Sequence, residues 1–199
     1  EVSVTYHELA GGEFLVFLRD ITERKWAEEV VEKRLVSLTQ PIESGVIAID
    51  DLFRLNELQH IQDEFSEATG VASVITLPDG TPFTTPSNFT HLCNDIIRKT
   101  EAGCANCIRS DKTLGRYHPE GPIVQPCLSG GLWDAGVSIS VGGHHVASWL
   151  IGQVRDETQT EESMRAYAKL IGAEESAFMD AFLAIPAMSR QRFEVVAKA

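Results

Sequence analysis

Residues 133 to 154 read Trp-Asp-Ala-Gly-Val-Ser-Ile-Ser-Val-Gly-Gly-His-His-Val-Ala-Ser-Trp-Leu-Ile-Gly-Gln-Val. Trp133, Ala135, Val137, Ile139 and Val141 fall on alternate positions, the period of a strand with one face on a core. Gly142-Gly143 then turns the chain, and Val146 to Val154 returns as a second strand. Two alternating runs about a pair of glycines predict a β-hairpin, and the rest of the central region is arranged around it.

Upstream, Pro122 to Cys127 predicts another strand. Leu58, Ile61, Phe65 and Ala68 mark a helix face that begins at Asn56 and ends at Gly70. Val71 to Leu77 is a strand, and Pro78-Asp79-Gly80 turns it into a second one over Thr81 to Thr85. Asn88 to Arg98 and Cys104 to Leu114 read as helices parted by Gly103. Downstream, Met164, Tyr167, Ala168 and Ile171 carry a helical stripe, as do Phe178, Ala181 and Phe182. Phe193 and Val196 follow a Ser189 cap. Two strands, helices, three strands and a helical tail predict a mixed α/β (α+β) class: an antiparallel sheet with helices packed across it.

The N-terminal part is organised separately. Val2 to Tyr6 and Glu13 to Leu18 form a hairpin about Gly11-Gly12. Asp20 caps a helix, with Glu23 as its capping-box partner. That helix runs to about Leu38 with Ala27, Val31, Leu35 and Leu38 on one side. The stripe suits either a short parallel coiled coil, and so a homodimer through the linking helices, or a helix packed on its own domain. Gln40-Pro41 breaks it, and residues 43–55 connect it onward. The expected organisation is therefore 1–21 hairpin, 22–55 linking helix and connector, 56–185 central domain and 186–199 the start of a C-terminal helix. Glu1 to Tyr6 already reads as mid-strand, so an N-terminus cut from a longer chain is expected.

The chain has 199 residues, 43% hydrophobic and 23% charged, the balance of a globular protein rather than a disordered one. Twenty-nine acids against seventeen Lys and Arg give a net charge of −12 and a pI near 4.9. Such a surface repels phosphate backbones and anionic lipid, so neither nucleic acid nor a membrane is an expected partner. No run approaches the roughly 20 apolar residues of a membrane span, and no secretion signal is visible, so a cytoplasmic location is expected.

Several of these stretches resemble known families. The strand pair ending in Asp20-Ile21-Thr22-Glu23-Arg24-Lys25 resembles the last strands and exit helix of a PAS domain. The Val71 to Thr76 strand with Pro78-Asp79-Gly80, Cys93 with Asn94 to Arg98, Asn106 to Asp111, Pro126 to Asp134 and Trp149 to Val154 resemble the PocR sensory domain. The resemblance implies a divergent PAS-like fold that senses a small organic molecule. It implies a place in bacterial signal transduction, as in two-component sensor kinases, with adjacent signalling domains of the same chain as partners and an output domain outside this fragment. Cys93, Cys107 and Cys127 resemble the family's recurring cysteines, whereas Cys104 does not.

Two chemical readings stay open. The four cysteines are spaced C-x10-C-x2-C-x19-C over Cys93, Cys104, Cys107 and Cys127. Two thiolates at the Cys104-x2-Cys107 spacing can grip one ion, which Cys93 and Cys127 would complete as a tetrahedral zinc or an Fe–S site. Cysteines are equally small core residues, and a redox pair is a third use. Alternatively a ligand pocket is built from Trp133 as a flat apolar wall, Asp134 as a partner for a hydroxyl or amine, and Cys127. Trp149 and Gln153 stand at i and i+4 on one strand face beside it. Core packing explains either tryptophan as well. His144-His145 is a hairpin tip, and His7-Glu8-Leu9 sits on a strand where a phosphoacceptor box needs a helix. No Gly-rich phosphate loop or nucleophile–base pair appears, so a non-catalytic binding module is expected.

Overall fold

A computed structural model of the chain describes residues 2–9, 13–39 and 48–199. It divides into two compact units, Glu1–Leu52 and Phe53–Ala199. In the first, β1 (Val2–Leu9) and β2 (Glu13–Asp20) pair antiparallel, Val2 opposite Asp20 and Leu9 opposite Glu13, and α1 (Thr22–Thr39) follows. Oδ1 of Asp20 accepts from the Thr22 backbone N–H at 2.9 Å and from its hydroxyl at 2.6 Å, which starts the helix as its sequence predicts. Along α1 Val30 is buried while Ala27 and Val31 are exposed, so half of the expected stripe faces outward. The Leu35 and Leu38 side chains, the Gly11-Gly12 turn and the Gln40-Pro41 break lie outside the described residues.

The second unit holds a four-stranded antiparallel sheet, confirming the mixed α/β class. Its strands are β3 (Ala72–Thr76), β4 (Ile123–Pro126), β5 (Trp133–Val141) and β6 (His144–Val154), in the order β3-β6-β5-β4. The expected hairpin is β5–β6, placed centrally, with Val141 opposite His144. The expected strand at Thr81–Thr85 is not formed. That segment meets β3 through bridges at Thr76–Pro82 and Ser73–Ser87 and through the Phe83 and Thr84 N–H groups, which donate to Ile75 O at 2.8 and 3.2 Å. Pro82 within this stretch and Pro86 just after it have no amide donor, so it cannot keep up a ladder.

A side chain ties this segment down. Before β3 runs α2 (Leu55–Thr69), whose expected face placed Ile61 and Ala68 inward, yet Ile61 is half exposed and the buried face passes through Gln62 and Ser66 instead. The Gln62 carboxamide oxygen accepts from the Ile75 N–H at 3.0 Å and from the Thr84 hydroxyl. Its NH2 donates to Thr85 O at 2.8 Å and Ser87 Oγ at 2.5 Å. A fully buried amide so paired reinforces the few backbone bonds that hold the prolyl segment along β3.

The rest of the helices cover the two faces. His91 leads into a π-turn at Leu92–Ile96 and a 3-10 turn at Ile97–Lys99. Then come α3 (Glu101–Leu114), α4 (Glu161–Ile171), α5 (Glu175–Leu183) and α6 (Arg190–Lys198). The third helix starts three residues earlier than its expected Cys104, because the Thr100 hydroxyl caps it by accepting from the Gly103 N–H at 3.0 Å. Val74, Leu114 and Leu150 pack on one face of the sheet, next to a larger core from the π-turn, α3, α4 and α5 around Leu132 and Phe178. Val71, Trp133, Ala135, Val154 and Phe193 pack on the other, which brings α6 onto the domain.

Candidate functional site

The site is set by a fault in the β5–β6 ladder. Trp133 pairs with Val154 and Ala135 with Ile151, so Asp134 alone stands opposite both Gly152 and Gln153, a β-bulge. Gly152 has φ +150°, and a Cβ there would collide with Asp134 Oδ1, so only glycine fits. Gln153 takes φ +60°, a left-handed conformation that strains a side-chain-bearing residue. One extra residue shifts the inward–outward alternation by one. Gln153 therefore shares the Asp134 face instead of the Trp149 face, against the i and i+4 expectation.

Two adjoining cavities open on that face, with Ala72, Phe89, Gly152 and Gln153 as common walls. The inner one, of about 30 Å³, is bounded by Arg98, Asp111 and Asp134 together with Val74, Leu114 and Leu150. The outer one, of about 200 Å³, runs past Thr90 and His91 to Ile185 and Met188. Between them the Gln153 carboxamide oxygen accepts from the Thr90 N–H at 2.7 Å and the Thr90 hydroxyl at 2.9 Å.

Charge in the inner cavity is nearly balanced. Arg98 donates to Asp111 at 3.0 Å, with side chains 21% and 10% exposed, and its guanidinium lies 5.4 Å from the centre of the Phe89 ring. Arg98 Nε is buried and has no hydrogen-bond partner. Burial raises the Asp111 carboxyl above its ordinary value, opposed by Arg98. Loss of water pushes Asp134 up to about 7, against the pull of the Gln153 N–H, and the Asp111 charge adds to the rise.

The cysteines are placed otherwise than a metal reading requires. Cys93, Cys107 and Cys127 are buried in the large apolar core, whereas Cys104 is half-buried and outside it. Burial pushes the Cys93 thiol up to about 12 and raises Cys107 and, further, Cys127. Without a metal ion these groups are neutral thiols and poor nucleophiles. Cys127 donates its S–H to Ser129 O at 2.9 Å, and the Ser129 and Tyr167 hydroxyls meet at 2.7 Å. Among the described residues no three His, Cys, Asp or Glu are grouped so as to hold a metal ion.

Both tryptophans lie on the far side of the sheet from Asp134. Trp133 is buried, donates Nε1–H to Asp156 at 2.7 Å and carries the Arg190 guanidinium 4.8 Å above its ring. It is a core residue joined to α6 and not a cavity wall. Trp149 donates to Ser73 Oγ at 2.7 Å, meets Phe65 edge-on at 5.6 Å, and lines an apolar groove of about 270 Å³ with Val137 and Val196. Of the expected ligand residues, the structure brings together Asp134 and Gln153. Trp133, Trp149 and Cys127 do not line their cavities. Arg98, Asp111 and Thr90 went unread, although an arginine beside Ile97 and an aspartate three residues before Leu114 are charges set among core positions.

A family model described as the sensory domain found in PocR matches residues 51–199, α6 included. The regulatory protein PocR of Salmonella typhimurium is 30% identical over 107 residues, which are 52% of this chain and 34% of that protein. The match thus spans about a third of that relative's length. No solved structure matches the chain.

Proposed function

The chain belongs to the PocR sensory-domain family, and from that premise we propose that it binds a small uncharged organic molecule in the paired cavities around Arg98 and Asp134 and relays its presence to an output domain. The observation that carries this is the buried, unpartnered Nε–H of Arg98 beside the Asp134 carboxyl in the wall of a cavity. A buried donor without an acceptor is unfavourable by roughly 1–3 kcal/mol, which a bound oxygen atom would recover. The Arg98–Asp111 pair is already neutral, and Asp134 readily holds a proton, so a carboxylate or ammonium ligand would add an uncompensated charge to a dry site. The inner cavity admits one polar group, such as a hydroxyl, and the outer one takes a short apolar remainder.

In this reading the chain is a non-catalytic module of a cytoplasmic signalling protein, and its partners are the ligand and neighbouring domains of the same polypeptide. Among the described residues no helix is long and apolar enough to cross a membrane. The test is a thermal-shift screen of short alcohols, short amides and short carboxylates. Stabilisation by a neutral compound that Arg98→Lys abolishes is the expected result. Stabilisation by carboxylates alone overturns the reading.

A further inference from the structure

We propose that the Gly152–Gln153 bulge is a two-state register switch that carries the condition of the cavity on one face of the sheet to α6 on the other. The inference rests on the binding reading for the cavity's purpose, but the mechanical claim does not require a ligand.

A bulge gives a strand end two discrete pairings. As observed, Gln153 lies with Asp134 in the inner cavity wall, while Val154 lies with Phe193 beneath α6 and borders only the outer cavity. With the extra residue absorbed, the two would exchange faces, and Val154 would leave the Phe193 cluster. The observed register is held against the strain at Gln153 by bonds that end in the cavity walls. The Gln153 N–H donates to Asp134 Oδ1 at 2.7 Å, and the Gln153 side chain accepts from Thr90 at 2.7 and 2.9 Å. A molecule that engages Asp134 or Gln153 therefore acts on the same bonds that select the register.

Three contacts connect that register to α6. Arg155, two residues beyond Gln153, donates Nε–H to Ile185 O at 2.7 Å, and its carbonyl accepts from the Met188 N–H at 3.0 Å. Val154 packs with Phe193. Trp133, next to Asp134 but on the opposite face, stacks under Arg190.

The chain has three methionines, which makes a direct test available. Met164 and Met179 sit in the large core, while Met188 borders the α6 cluster. In 13C-methyl-methionine NMR of the 199-residue chain without ligand, Gly152→Ala, whose Cβ the bulge cannot accommodate, marks the Met188 position of the unbulged register. Asp134→Ala removes the acceptor of the Gln153 N–H and should raise the population at that position about tenfold, the effect of losing one such bond. Asp134→Asn keeps an acceptor oxygen and should leave Met188 near its parent position, with Met164 and Met179 unmoved in all three variants. A Met188 signal indifferent to Asp134→Ala, or moved equally by Asn and Ala, overturns the switch. Should Gly152→Ala fail to fold, the contrast between the two Asp134 variants decides alone. Because no ligand is added, a negative result here leaves the thermal-shift screen as an independent test of binding.

Discussion

The backbone N–H of Gln153 donates to Oδ1 of Asp134 at 2.7 Å, joining a residue in a strained left-handed conformation to an acid whose carboxyl is pushed up to about 7. Strain, charge and cavity meet at this one bond, and it gives the first prediction.

Unfolded, the Asp134 carboxyl loses its proton near its ordinary 3.8, and folded near 7, so the native state holds the extra proton across that interval. Its contribution to stability is complete at the acid end and is lost progressively as pH rises towards 7. Asp134→Asn, which mimics the protonated acid, should match the parent's Tm at the acid end and exceed it above neutrality. Melting curves of both proteins across that range check this, since other titrations cancel in the difference. A gap in Tm that does not grow with pH contradicts it.

Arg98→Met leaves Asp111 buried without its cation and should destabilise the fold by on the order of 3 kcal/mol. Adding Asp111→Leu removes the orphaned charge and should restore most of the loss. Urea unfolding of the two single variants and the double measures the coupling; additive effects would mean that the pair at 3.0 Å is incidental.

Of four cysteines, only Cys104 is outside the core and more than slightly exposed. Iodoacetamide at neutral pH should add one label per native chain, at Cys104, and four after denaturation. Intact-mass measurement with and without zinc reads both numbers. Zinc-dependent protection of Cys104 would return the cysteines to the metal reading.

Truncating Trp133 removes a buried indole, its bond to Asp156 and its stack with Arg190. Trp133→Ala should lower stability by roughly 3–5 kcal/mol, whereas Trp149→Ala, whose ring borders an open groove, should lower it less. Denaturant midpoints of the two variants decide; equal losses would show that Trp149 is just as deeply held.

Much of the fold is legible in the sequence because it follows periodic burial. The alternation from Trp133 to Val141, the double-glycine turn and the amphipathic tail helices all recur as elements. The Thr81–Thr85 segment departs from its strand-like alternation because Pro82 and Pro86 take away the donors a ladder needs. The site is less legible for a geometric reason. Face assignment by counting holds only while the ladder is regular, and one bulge reverses Gln153 relative to Trp149. Asp134 stands out through its glycine-rich neighbourhood, but Arg98 and Asp111 come together from separate helical turns, a closeness that spacing does not reveal. The cysteines mislead because a C-x2-C pair on a helix need not point both sulfurs inward, and Cys104 does not join Cys107 in the core.

The prolyl segment clamped by Gln62 has a consequence for how this protein behaves in a crowded cell. An open outer edge on β3 would offer unpaired backbone groups to any extended chain, the usual start of intermolecular aggregation. Here that edge is occupied by a strip lacking the donors at Pro82 and Pro86, fastened by a few backbone bonds to Ser73 and Ile75 and by the buried side chain of Gln62. The opposite edge, β4, is only four residues long and ends in Pro126. Replacing Gln62 by a leucine of similar size would keep the packing and loosen the strip, so its first symptom should be loss of solubility on storage rather than loss of ligand response.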